Sequence, residues 1–283
     1  MRPNMAASPV HLLEAGIVTE QRYAGAGSAP AALGGAMAER LAPAKRVKIP
    51  FNPRERWLTA ARESCRTLAD AVTASLSAHA LPVVIGGECT LVAGTITGAL
   101  AVERDLALIY FDAHGDFNTL ATTPSHYVGG MCLAHVCGRH VAPLLWPGVR
   151  TIADDHVALV GARELDAGEA RNLDTSRVRR IRFDSEQADA AGLLAFARRR
   201  PVWIHVDIDV VDPSGMPAVA SPVGGGPSLA ALSEVLRSVA TVSEVRGIEL
   251  CGYDPTKDPT GRLAGPLAEL MAVAVQETAL ARR

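Results

Sequence analysis

Aromatic residues are scarce: three Trp, four Tyr and five Phe in 283 residues. Net charge is equally small, at −2 with a pI near 6.4, and Lys and Arg are scattered. Without a basic stripe or aromatic platforms, nothing points to nucleic acid or to an anionic membrane surface. The five cysteines, Cys65, Cys89, Cys132, Cys137 and Cys251, are odd in number and dispersed, with no CxxC spacing. That pattern argues against a disulfide framework. No apolar run is long enough for a signal peptide or a membrane span, so the expected location is the cytoplasm. Repeats, low-complexity tracts and linkers are also missing, and residues 1–283 are expected to form a single domain.

What is present is a chain 48% hydrophobic and 20% charged, enough to bury a large core. Residues 1–45 are hard to read, beyond a helix near Ala31–Leu41. Arg46–Phe51 suits a short strand and Pro53–Ala80 a long helix, with Trp57, Ala60, Ala61, Leu68, Val72 and Leu76 at helical spacing. Strands are expected at Leu81–Gly87, Leu106–Phe111, His156–Ala162, Val178–Phe183, Pro201–Asp207 and Val245–Leu250. Helices are expected at Thr90–Val102, from Met131, and over Glu164–Leu173, Ser185–Arg198, Ser228–Val239 and Leu263–Ala281, with Ser228 as an N-cap. This alternation predicts an α/β fold with a mostly parallel sheet covered on both faces. Ligands in such folds bind at the carboxyl ends of the strands.

Two of those ends carry ionisable groups at every second position. LALIYFDAHGDFNT places Asp112, His114 and Asp116 after the apolar run Leu106–Phe111. In extended backbone, alternate side chains point the same way. HVDIDVVDP repeats the device with Asp207 and Asp209, about ninety residues later. Brought side by side, these carboxylates and the imidazole are costly to bury unless cations sit among them. Each motif alone is also compatible with a turn, and Asp212-Pro213 reads as one. Together they point to two divalent ions sharing carboxylates. Oxygen ligands with an imidazole favour Mn²⁺, and two neighbouring metals can share and acidify a hydroxide. The Asp112–Gly130 loop is long for a compact domain, which marks it as functional.

DAHGD, then DIDVVDPSGMPAV, with GGECT upstream, resembles the ureohydrolase family of arginases, agmatinases and formimidoylglutamases. The likeness runs from Leu81 to Asp258 and fades outside it. It implies a three-layer α/β/α domain with an eight-stranded sheet, a binuclear Mn²⁺ centre, and trimers or hexamers. It also implies hydrolysis of a guanidino C–N bond with release of urea. On this likeness Asp112 and Asp207 bridge two Mn²⁺ ions, His114 and Asp209 complete the second site, and Asp116 binds the first metal and orients the nucleophile. Asn118, Ser125 and Ser221 fall at substrate-binding positions.

Three positions depart from that pattern. Cys89 stands where the family has a histidine ligand, which softens the first site and could weaken it or change its metal. Gly129 stands at the proton-relay histidine, with His126, three residues earlier, as a candidate substitute. Gly252 stands at the acidic guanidinium clamp. Asp254 holds the Asp-Pro position, and by strand alternation Glu249 faces the other way. The expected activity is a metal-dependent hydrolysis of a small guanidino or amidino compound. The alternatives are a non-catalytic metal-binding member or subunit, and a hydrolase of another amide or amidine.

Overall fold

The computed structural model describes residues 8–54, 56–139, 146, 149–185 and 188–281. Eight strands form one sheet: β1 Val10–Ala15, β2 Lys45–Lys48, β3 Leu81–Gly86, β4 Ala107–Phe111, β5 Val157–Val160, β6 Arg179–Ile181, β7 Pro201–Asp207 and β8 Glu244–Cys251. The spatial order is β2-β1-β3-β8-β7-β4-β5-β6 and every pairing is parallel. The helices are α1 Ala29–Leu41, α2 Trp57–Ser77, α3 Val92–Leu100, α4 Cys132–Val136, α5 Ala167–Asp174, α6 Ala190–Ala197, α7 Leu229–Val242 and α8 Ala264–Ala281.

Side chains of each inner strand alternate between two cores. Ile109, Phe111, Ile204, Val206 and Ile248 pack with residues of α1, α6, α7 and α8. Leu108, Tyr110, Trp203 and Val84 pack with residues of α2, α3 and α4. Both faces are thus apolar, which is why the central strands read as unbroken hydrophobic runs. The result is the three-layer arrangement expected from the sequence.

Several ends differ. The strand expected at Arg46–Phe51 is the short, exposed edge strand β2, because Ile49 and Phe51 turn into the α2 layer rather than extending the ladder. The helix expected from Thr90 opens as a 3-10 turn, Cys89–Leu91. β1 was not legible, since its buried Glu14 breaks the apolar pattern; Arg46 pairs with that carboxylate. α6 starts at Ala190, where the Asp189 side chain accepts the Gly192 N–H; the expected start at Ser185 precedes residues 186–187, which lie outside the described set. Ser228 does cap α7, its Oγ accepting Ala231 N–H at 3.1 Å.

The order β3-β8-β7-β4 matters most. It sets side by side the carboxyl ends that run into Cys89, Gly252, Asp207 and Asp112. Phe111 is registered with Val206, and Asp207 with Cys251.

Candidate metal centre

Asp112 leaves β4 with its N–H still bonded to Val160 O, at 3.1 Å, so the strand's geometry carries one residue beyond its end. Its Oδ1 accepts the His114 N–H at 2.7 Å, which turns the loop and lifts the imidazole over the carboxylate. His114 Nδ1 then lies 3.3 Å from Asp112 Oδ1 and 3.1 Å from Asp209 Oδ2. Across the sheet, Asp207 Oδ1 accepts Asp209 N–H at 3.0 Å, and Asp209 Oδ1 accepts Ala113 N–H at 3.2 Å. The two motifs therefore fix each other. Asp116 adopts a left-handed φ of 48°, a conformation Asp tolerates better than most residues. Its Oδ2 accepts Tyr110 Oη–H at 2.6 Å.

Potential ligand atoms fall into overlapping groups within 4.8 Å of one another: Asp112 with His114 and Asp209; Asp112 with Cys89 and Asp207; Cys89 with Asp116 and Cys132. Asp112 belongs to an inner and an outer group, as a bridging carboxylate must. Asp207 falls in the inner group alone. The four aspartates are buried, and among the described residues no Lys or Arg lines the cavity they share. Burial, then repulsion from neighbouring aspartates, pushes Asp112 and Asp207 well above the usual carboxylate range. Burial opposes charge on His114, but hydrogen bonds to Asp112 and Asp209 outweigh it and push the imidazole up to about 12. One protonated imidazole does not balance four buried carboxylates. A pair of divalent cations does, and the oxygen, nitrogen and sulfur donors present fit them.

The cavity holds about 200 Å³. The structure brings Cys89, Asp112, His114, Asp116, Asn118, Ser125, Asp207, Asp209 and Ser221 to its wall. His126 it does not: that residue is exposed and absent from the lining, with φ of 56° and its N–H on Thr123 Oγ1. The left-handed kink turns its side chain outward and hands the inward position to Tyr127.

Tyr127 was missed from the sequence, as was Glu88. Tyr127 Oη–H donates to Glu88 Oε2 at 2.7 Å, and Glu88 Oε1 accepts from Thr19 N–H, Thr19 Oγ1 and Thr90 Oγ1. Burial pushes Glu88 up to about 7. The Tyr127 ring lies 4.6 Å from that of Tyr23, and the Arg22 guanidinium covers both. Two of the departures lie in crowded places. A Cβ at Gly129 would sit 2.4 Å from the Tyr127 ring, and one at Gly252, where φ is +80°, 2.1 Å from Asp207 Oδ1. Glu249 does face away, buried and 2.6 Å from His205 Nδ1. The His205 ring stacks at 4.0 Å on Tyr110, the residue that holds Asp116. Asp254 caps a turn through Thr256 and does not line the cavity.

The arginase family model matches residues 12–279. An N(omega)-hydroxy-L-arginine amidinohydrolase of Streptomyces lavendulae is 34% identical over 163 residues, 57% of this chain and 57% of its own length. The arginase of Bacillus caldovelox is 29% identical over 239 residues, 81% of this chain and 79% of that one. Among solved structures, arginase from Bacillus cereus superimposes with a TM-score of 0.85 at 25% identity, over 95% of this chain and 98% of that one. A family model that spans nearly the whole chain, over a sheet whose strand ends assemble both aspartate motifs, leaves one conclusion: the chain belongs to the arginase family.

Proposed function

We propose that this protein hydrolyses a C–N bond of a small guanidino or amidino compound, releasing urea or a related product, with two divalent cations held by the carboxylate cluster. The observation that carries the reading is the convergence of Asp112, His114, Asp207 and Asp209 from two strand ends, with Asp116 and Cys89 beside them. Asp112, His114 and Asp209 would hold one ion, for which Mn²⁺ is the match to oxygen and imidazole donors. Cys89, Asp112, Asp116 and Asp207 would hold the other. When bound, such a pair acidifies water to a nucleophile and neutralises charge developing at the reacting carbon.

The chain's own residues supply position and proton handling. Asp116, locked by Tyr110, orients the attacking water and takes its proton. Asn118, Ser125 and Ser221 offer neutral polar contacts to the substrate. Beyond the metal cluster, Glu88, Glu164, Asp166 and Glu169 line the cavity and no Lys or Arg does among the described residues, so its field favours a cationic amidino head over an anionic group. Gly252 provides no acidic clamp for the guanidinium, which makes free arginine a poor fit. The family likeness supports a homo-oligomer, trimeric or hexameric. Five free cysteines suit a reducing cytoplasm.

The test is a Mn²⁺-supplemented panel of guanidino, amidino and amide compounds scored for urea, ammonia and acetate. Urea from a cationic guanidino compound is expected, with Asp209→Ala losing more than ~100-fold in rate and one equivalent of metal. Activity that survives complete chelation would sink the reading. The glycines at 129 and 252 favour a second reading, a metal-binding subunit without turnover. It predicts bound cation and no product from any compound of the panel.

A further inference from the structure

A third group of ligand atoms, Cys89 with Asp116 and Cys132, contains a residue that neither motif announced. Cys132 opens α4, at the far end of the long loop, yet its Sγ lies 3.1 Å from Asp116 Oδ2 and 3.2 Å from Tyr110 Oη. It is fully buried in the α2–α4 layer, and its thiol touches the carboxylate. Cys89 reaches the same place from the turn after β3, with its Sγ within 4.8 Å of the ligand atoms of Cys132 and Asp116. Two backbone contacts bring the loop's end back to its start: Asn118 N–H on Gly130 O at 3.2 Å and Ala134 N–H on Asp116 O at 3.1 Å. The outer group, Asp112, His114 and Asp209, has no sulfur in it. One cavity thus holds two donor sets of different softness.

We propose that Cys89 and Cys132, with Asp116 and a shared aspartate, form a thiolate-rich subsite that takes a thiophilic divalent ion of the Zn²⁺ or Co²⁺ kind in preference to Mn²⁺. This rests on the metal-centre reading above and adds to it a second protein thiolate and a cation of different chemistry. Two sulfurs and two oxygens are the right number for a tetrahedral ion. The edges of such a site are roughly 3.3–3.8 Å, so the Cys89, Cys132 and Asp116 atoms, already within 4.8 Å of one another, need to close in by only about an ångström. Loading releases the thiol protons, since the thiolate is the ligand. The hydrogen bond that Cys132 now gives Asp116 is replaced by a shared cation. Tyr110 remains as the donor to the carboxylate. The outer subsite keeps its preference for the harder Mn²⁺. A hetero-bimetallic centre follows.

The experiment uses the full-length chain, stripped by chelation and titrated with Co²⁺, and reads the thiolate-to-cobalt charge-transfer absorption in the near ultraviolet. Wild type is expected to show the band. Cys132→Ser and Cys89→Ser should each lose about half of it and bind Zn²⁺ roughly tenfold more weakly or worse. Elemental analysis of both variants should still find one equivalent of Mn²⁺. Cobalt bound without the band overturns the proposal, and wild type alone decides that if a variant misfolds. A band unchanged in Cys132→Ser also overturns it. Mn²⁺ retained with no sulfur band removes this inference and leaves the hydrolase reading standing. A chain that retains no divalent ion removes both.

Discussion

Gly252 shows how tightly the centre is bounded at the scale of single residues. Its φ of +80° and the 2.1 Å that would separate a Cβ there from Asp207 Oδ1 leave no room for any side chain. Gly252→Ala is expected to push Asp207 aside, lowering stability by about 1–3 kcal/mol and releasing the inner cation. Thermal denaturation and metal analysis read the two effects separately. The residues that cluster at the strand ends were legible because a period of two in extended backbone converts spacing into direction. That rule found Asp112, His114, Asp116, Asp207 and Asp209. His126 came instead from its nearness to Gly129 on the family likeness, and three residues' separation along an irregular loop carries no direction. A left-handed residue reversed the outcome and placed Tyr127 inside. Cys132 was equally illegible: nothing local says that the start of α4 returns to Asp116.

At the scale of elements, the long loop after β4 is held by α5. Glu169 Oε1 accepts Phe117 N–H at 2.8 Å and its Oε2 accepts Asp166 N–H at 3.2 Å, closing a capping box. Asn172 Nδ2 reaches Phe117 O at 3.1 Å and Asp166 Oδ2 takes Asn118 Nδ2–H at 2.9 Å. Burial pushes Glu169 up from 4.5 to about 7. A carboxyl whose pKa rises on folding contributes stability that is full below the unfolded value and is lost as pH climbs through the folded one. The chelated protein should therefore lose stability between about pH 4.5 and 7 on account of this group, on the order of 3 kcal/mol. Glu169→Gln, less stable at acid pH by about 1 kcal/mol for one lost acceptor, should show a flatter profile across that window in urea denaturation. A slope identical to wild type would refute the assignment. The inner strands from β3 onward were readable as apolar runs, whereas β1 was not, because Glu14 interrupts its pattern, and the edge strand β2, exposed and with Lys45, Arg46 and Lys48 in its ladder, was legible only as a short segment.

For the molecule as a whole, cation binding at the aspartate cluster would be linked to folding. Four buried aspartates oppose folding when no cation screens them, and ions that bind the native state stabilise it by mass action. At a hundredfold excess over the dissociation constant the gain is about 2.7 kcal/mol per site, which should raise the melting temperature by roughly 5 °C. Scanning calorimetry of chelated and reloaded protein checks this, and Asp207→Asn should show a smaller shift. The three-layer class followed from alternation of strand and helix. The strand order did not, because hydrophobic period says which face a strand buries and not which strand lies beside it. That order alone brings the turn after β3 into reach of the loop after β4.

The filled spaces above Gly129 and Gly252 have a consequence for descent. A histidine at the first must displace Tyr127, and with it the hydrogen bond to Glu88. An acidic residue at the second must displace Asp207. Either change, made alone, obliges its neighbour to move. Laboratory evolution toward side chains at these positions is therefore expected to recover Gly129 changes together with changes at Tyr127, and Gly252 changes together with a repositioned Asp207.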